Sequence, residues 1–239
     1  MATNETEALA GVGISPVQTL PGTVRAATPG VKGFDANTVI TPAIAKAFVD
    51  AGYKFAIRYV GRLTMANHDL TTKEALTILE AGLALMIVQH FKGEGWKPTA
   101  ALGTQYGKNA GRFTKEIGVP AGVNVWCDLE GVAAGTPRQN VIDFCNNWHG
   151  KVSEAGYEPG LYVGFGPGLG PKALFEKLAF KHYWRAFNLN SDQVPAVRGV
   201  QLRQKTGKGT IGGLTTQVYD DDFTQTDALD GNAIWLAPD

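Results

Sequence analysis

The chain has 239 residues, 44% of them hydrophobic, and 22 Lys and Arg against 22 Asp and Glu. That length accommodates one α/β barrel or two small domains, and the balanced charge offers none of the basic excess on which nucleic-acid binding draws. No apolar run is long enough to cross a bilayer, and Met1 to Glu7 lack the basic and apolar regions of a secretory signal, so action on a cell wall would call for a non-classical export route or release by lysis.

Residues 1–30 carry Gly11, Gly13, Pro16, Pro21, Gly22, Pro29 and Gly30 with no apolar period of 2 or 3.6, which reads as a tail or linker ahead of a domain spanning 31–239. From Val31 a unit recurs: a helix start, an amphipathic helix, a glycine stop and an apolar strand. Val31 to Asp35 is the first strand. Thr41-Pro42 opens the first helix as N-cap and first helical residue, with Ile44, Ala47, Phe48 and Ala51 on one face, and Lys54 to Val60 is the next strand. Thr71-x-x-Glu74 is a capping-box pattern; its helix buries Ala75, Ile78 and Leu79 and runs through Gly82 into the strand Leu83 to Gln89. A third helix within Pro98 to Gly118 precedes the strand Val123 to Glu130. The fourth follows Thr136-Pro137, with Val141, Phe144, Cys145, Trp148 and Val152 on one face, and leads to the strand Gly160 to Val163. Shorter elements follow: a helix near Lys172 to Leu178, and strands near His182 to Ala186, Gly199 to Gln204 and Gln217 to Asp222. The helix-ending glycines Gly52, Gly82, Gly118 and Gly156 recur every 30 to 38 residues, the length of a β-α unit. Strands apolar along their whole length indicate parallel pairing with both faces covered. Eight parallel strands predict a single compact (β/α)8 barrel of TIM type; an open doubly wound sheet is the alternative. Cys127 and Cys145 are too few for a disulfide framework and read as small buried hydrophobes, with a disulfide left open.

The strand Val123 to Glu130 carries the chemistry. Alternation puts Asn124, Trp126, Asp128 and Glu130 on one face, so two carboxylates sit roughly 7 Å apart where the strand ends. In a partly dry pocket their pKa values separate, leaving one as an acid and one as an anion. An isolated Asp-x-Glu reads equally as a solvated strand end. In a barrel, however, catalytic groups come from the C-terminal strand ends. There Asp35 closes the first strand, and Asp220, Asp221 and Asp222 close the last, its neighbour once the barrel shuts. Asp35, Asp128, Glu130 and Asp220 are therefore the candidate catalytic residues. Asp222 is a further binding group, and if it and Asp220 face the pocket, Asp221 faces away. Gln89, His90, Trp126, Tyr162, Trp184 and Gln201 supply aromatic faces and amides suited to a sugar ring, although each aromatic alone reads as core.

Other motifs carry less. Gly164-Phe-Gly166-Pro-Gly168-Leu-Gly170 lacks the dinucleotide-binding spacing and reads as a rim loop. Lys205-Thr-Gly-Lys208-Gly-Thr follows the seventh strand, where barrels often bind phosphate. It lacks the Walker spacing, yet supports an alternative reading as a phosphoester hydrolase. His68, His90, His149 and His182 form no local metal pair, so no metal or other cofactor is expected, and a metal site would have to be built from several strands.

Gly33-Phe-Asp35, Gln89-His-Phe91, Asp128-Leu-Glu130, Tyr162-Val-Gly164, Tyr183-Trp-Arg-Ala186, Gly199-Val-Gln201 and Asp220-Asp-Asp222, in this order around a barrel, resemble the bacterial glycoside-hydrolase-like barrel family. That family is similar to the family 25 lysozymes, which cleave peptidoglycan. The resemblance covers Val31 to about Trp235. It implies a glycan partner, peptidoglycan first, and cleavage between N-acetylated amino sugars. Glu130 would be the proton donor, its pKa raised by burial against Trp126 and by the charge of Asp128. Asp128 would orient the substrate acetamido group or stabilise its charge as it attacks the anomeric carbon, and Asp35 is the acid of the first strand. The family's last strand usually ends Asp-x-Asn; here Asp222 stands at the Asn position, which makes Asp220 the expected acid there. A rival within the class has Asp35 or Asp220 activating water for inversion. A glycan-binding barrel without turnover is the alternative from another class, since fold does not guarantee chemistry.

Overall fold

The computed structural model describes residues 18–189 and 193–239. Its strands are β1 (Thr23–Ala26), β2 (Lys32–Ala36), β3 (Phe55–Val60), β4 (Ala84–Gln89), β5 (Asn124–Leu129), β6 (Glu158–Val163), β7 (His182–Arg185), β8 (Leu202–Thr206), β9 (Tyr219–Thr224) and β10 (Ile234–Ala237). The helices are α1 (Pro42–Asp50), α2 (Thr72–Glu80), α3 (Ala100–Ile117), α4 (Arg138–Glu154) and α5 (Pro171–Glu176). Thr41, Thr71 and Thr99 each accept the backbone N–H three residues on, satisfying one of the donors that a helix start leaves free. Glu74 does not complete a capping box. Its carboxylate turns inward to accept from Ile40 N (2.8 Å) and Arg58 Nε (2.6 Å), because the fully buried Arg58 guanidinium needs a counter-charge there.

Strands β2 to β8 pair in sequence order, all in parallel. β9 shuts the ring against both β8 and β2. The result is the closed eight-stranded α/β barrel, not an open sheet. One strand departs from expectation: β9 runs antiparallel to both neighbours. A parallel return needs a crossover that carries the chain back to the starting edge, usually a helix. Residues 207–218 contain none, so the chain turns and comes back the other way.

Residues 18–30 correct the expectation of a structureless tail; residues 1–17 lie outside the described residues. β1 pairs with β10 from Thr23↔Ala237 to Ala26↔Ile234. Leu20 and Ala27 are buried, and Leu20 N donates to Gly118 O and Gly30 N to Thr224 O. β10 in turn meets β4 at Leu236↔Leu85. The Asn124 side chain accepts from Ile234 N and donates to Glu158 O, so β10 is wedged at the lower end of the barrel where β4 and β5 have not yet met. The signal was weak because only Val24 of the four β1 residues is partly buried, too little to show a period.

Two packing features hold the wall. On α3, Gly103, Gly107 and Gly111 face α4 so closely that a Cβ at any of them would collide with Phe144 O, Trp148 O or the Ala155 side chain. Outside β2, Phe34 stacks on Phe48 (3.7 Å) and meets Tyr53 edge-on. Cys127 and Cys145 are buried free thiols. No helix among the described residues is long and apolar enough to cross a membrane.

Deleting everything before Val31 should lower Tm on the order of 5–10 °C, because it removes the burial of Leu20 and Ala27, worth roughly 2–3 kcal/mol. An unchanged melting curve by differential scanning calorimetry would show that β1 contributes nothing.

Candidate active site

Because β9 runs backwards, its N-terminal end shares one rim with the C-terminal ends of β2 to β8. A cleft of about 310 Å³ opens there, lined by Asp35, Asp128, Glu130 and Asp220 together with Tyr59, His90, Tyr162 and Trp184. The register Asp35↔Asp220 and Gly33↔Asp222 sets Asp220 level with Asp35 and Asp222 one layer deeper, fully buried. Asp221 faces the other way, accepting from Tyr53 Oη (2.6 Å) and paired with Lys32 (3.0 Å). The three aspartates thus begin the last strand rather than close it, and reach the rim only because the strand is antiparallel.

Asp35 is surrounded by donors. Tyr59 Oη donates to its Oδ1 (2.9 Å) and Gln204 Nε2 to its Oδ2 (2.8 Å), while Gln204 Oε1 accepts from Tyr162 Oη (2.9 Å). Burial raises the Asp35 pKa, and the bonds from Gln204 and Tyr59 pull it back. Asp222 Oδ1 accepts from Trp184 Nε1 (2.8 Å), and its other oxygen, Oδ2, is buried beside Asp35. Burial, then the charge of Asp35, pushes Asp222 well above the usual carboxylate range, which favours its protonated form beside Asp35. A protonated Asp here does what an Asn would do: accept from Trp184 with one atom and donate to Asp35 with the other.

Asp128 and Glu130 share the inward face as alternation requires. Burial, then the charge of Asp35, lifts Glu130 to about 7. Its backbone carbonyl is fixed by Trp96 Nε1 (2.7 Å), and its side chain lies over Gly164, where a Cβ would collide with it. Asp128 is raised well above its usual value by burial, then by Glu130 and Asp35, with the Phe91 backbone N–H opposing. Its Oδ1 is buried without a partner. The charge acting on Glu130 is that of Asp35, across the barrel, while its strand neighbour Asp128 is itself raised by Glu130.

Three expected binding residues stand elsewhere. Trp126 is fully buried, edge-to-face with Trp184 (6.0 Å) and against Gly160. Gln89 donates to Gly61 O and Tyr106 O and accepts from Trp148 Nε1. Gln201 precedes β8, accepts from Tyr183 N and donates to Lys181 O and Asp227. The amides of Gln89 and Gln201 are spent on internal bonds, so neither serves the cleft. Tyr59 and Gln204 take their place. β8 begins and ends later than its composition suggests, which brings Gln204 inward at the rim; Tyr59 stands second from the end of β3, a rim position in any barrel. His90 lines the cleft, stacked on Tyr59 (4.7 Å). Lys205 lies over the Phe223 ring (4.8 Å), and neither it nor Lys208 lines the cleft, which leaves the phosphoester reading without its cations.

Carbon-13 NMR titration of the Glu130 carboxyl should give a midpoint of about 7, falling in Asp35→Asn because a charge that favours the protonated form is gone; Asp128→Asn should move it less. Asp222→Asn should keep stability within about 1 kcal/mol of native in denaturant melts, whereas Asp222→Leu, which leaves the buried Trp184 Nε1 without its acceptor, should lose about 1–3 kcal/mol.

Residues 46–222 match the family described as the Rv2525c-like, glycoside hydrolase-like domain, and the chain belongs to that family. Among solved structures, Rv2525c, a Tat-secreted protein of Mycobacterium tuberculosis crystallised with L-tartrate, is similar at TM-score 0.61 and 17% identity, over 82% of this chain and 96% of that one. The lysozyme of Streptomyces coelicolor is similar at TM-score 0.54 and 16% identity, over 85% and 95%. A family 25 glycosyl hydrolase of Bacillus anthracis gives 0.56 and 14%, over 81% and 88%. At these identities the likeness is one of fold. No match is found among curated proteins.

Proposed function

Starting from that membership, we propose that the protein is a lysozyme-like glycoside hydrolase acting on N-acetylhexosamine glycans, with peptidoglycan as the first candidate substrate. The observation that carries this reading is a cleft lined by Glu130, raised to about 7, and by an Asp35 equipped with donors from two strands. A carboxyl that still holds its proton at neutral pH suits protonation of a glycosidic oxygen, and a carboxylate pre-bonded on both oxygens suits an anion that must not move. Peptidoglycan is favoured by the neighbouring folds, which include a lysozyme.

In this reading Glu130 protonates the leaving oxygen. Asp128, which lines the cleft and whose buried Oδ1 has no partner, accepts the N–H of the substrate acetamido group and orients its carbonyl oxygen towards the anomeric carbon. Asp35, held by Tyr59 and Gln204, stabilises the charge at the anomeric carbon, with Asp220 beside it at the rim. Tyr162 and Trp184 line the pocket where a sugar face would lie. A second reading, a glycan-binding barrel without turnover, is favoured by one observation: Asp128 is driven towards its neutral form by burial, Glu130 and Asp35, which takes one anion away from the cleft.

With purified peptidoglycan, mass spectrometry should detect new reducing ends, and Glu130→Gln should slow their release by roughly 10² to 10⁴ while glycan binding persists. The rate should fall as pH rises through the Glu130 pKa of about 7, since the acid is then lost. Binding with no new reducing ends from the native protein would replace the hydrolase with the second reading, and full cleavage by Glu130→Gln would remove Glu130 from its role.

A further inference from the structure

We propose that His68, Asp69 and His90 form a binding site for a divalent first-row transition ion of the zinc type, in a groove beside the carboxylate cleft. This goes beyond the glycosidase reading and does not depend on it. The three residues come from two strand ends: His68 and Asp69 from the loop after β3, His90 from the residue after β4. Their candidate ligand atoms all lie within 4.8 Å of one another. Two imidazoles and a carboxylate are a donor set that zinc accepts, and three protein ligands leave a fourth position open. That position faces a groove of about 400 Å³ lined by the loop that carries Arg62 and Thr64.

The set is held in place by its surroundings. Asp69 is almost wholly buried, and its Oδ2 accepts from Ala66 N (2.7 Å), which directs Oδ1 to the histidines. Arg58 donates to the His68 carbonyl (2.7 Å), Asn109 to the Arg62 carbonyl (2.7 Å), and Leu70 N to Tyr59 O (2.9 Å), so the loop is tied at three points. The His90 ring is fixed by its stacking on Tyr59. Such outer support is what metal-binding side chains require. His90 Nε2 meets Asp69 Oδ1 directly at 2.6 Å, and His68 Nε2 stands 3.9 Å from the same oxygen. An ion at about 2.0–2.2 Å from each ligand would part the first pair by several tenths of an ångström and draw the second closer. The half-exposed His68 side chain has the freedom to make that closure.

The test is zinc titration of the full chain by calorimetry, with cobalt absorption as a second readout. The native protein should bind one zinc ion per chain, with a rise in Tm, and cobalt should give a tetrahedral-type spectrum. His68→Ala and His90→Ala should each weaken binding by more than the roughly 10- to 100-fold that outer-shell changes produce. His182, which pairs with Glu158 (3.4 Å) elsewhere, is the control, and His182→Ala should bind as the native protein does. Because His68 is half exposed, its variant should fold, as circular dichroism will show. Absence of zinc binding by the native protein, native affinity in His68→Ala, or loss of binding in His182→Ala would each overturn the site.

Discussion

A single buried carboxylate, Asp35, organises the rim. Its partners arrive from around the barrel: Tyr59 from β3, Gln204 from β8 and Asp222 from β9, with Tyr162 of β6 and Trp184 of β7 behind the last two. Each link is an ordinary hydrogen bond worth about 1 kcal/mol net, yet leaving any one donor or acceptor buried and unmade costs about 1–3 kcal/mol, so the five strands are held to a common register at the level of the cleft. The same charge lifts Glu130, Asp220 and Asp222 and contributes to lifting Asp128. One anion thereby keeps protons on its neighbours.

That arrangement has a thermodynamic sign. Glu130 titrates at about 7 in the folded chain, against 4.5 for the free group. The folded state therefore holds more protons across that interval, and stability declines as pH climbs through it. The contribution of Glu130 to stability is lost on the alkaline side, where the acid is also spent. Arg58 and Glu74 form a second buried charge system, in which the guanidinium is paired with Glu74 and donates to the Ala36 and His68 carbonyls.

Much of the barrel could be read from the chain because its signals are local. Thr-Pro and Thr-x-x-Glu starts, glycine stops and wholly apolar strands each declare themselves within a few residues, and Asp128 and Glu130 share a face by the two-residue period alone. What escaped reading was non-local. The direction of β9 depends on a missing crossover helix, the place of β1 depends on a partner some 200 residues away, as contact between chain ends routinely does, and the inward turn of Gln204 rather than Gln201 depends on where β8 begins. Gln89, Gln201 and Trp126 have the right chemistry for a sugar site, but the interior claimed them first: Trp148, Tyr183 and Trp184 needed partners. His68 and His90 were separable in sequence and inseparable in space for the same reason, since adjacent parallel strands bring distant loops to one rim.

The wedge formed by β1 and β10 bears on how the chain can be made. Thr23 emerges from the ribosome early, but its partner Ala237 follows only after nearly the whole barrel has been synthesised. Until then the lower ends of β4 and β5 have nothing between them, and β1 is an unclaimed edge. Contacts of such sequence separation are slow to form and leave sticky edges open meanwhile. Chains lacking residues 234–237 can still close the ring of β2 to β9, yet they leave β1 unpaired and the lower ends of β4 and β5 unplugged, so the long-range pairing of β1 with β10 seals a barrel that has already formed.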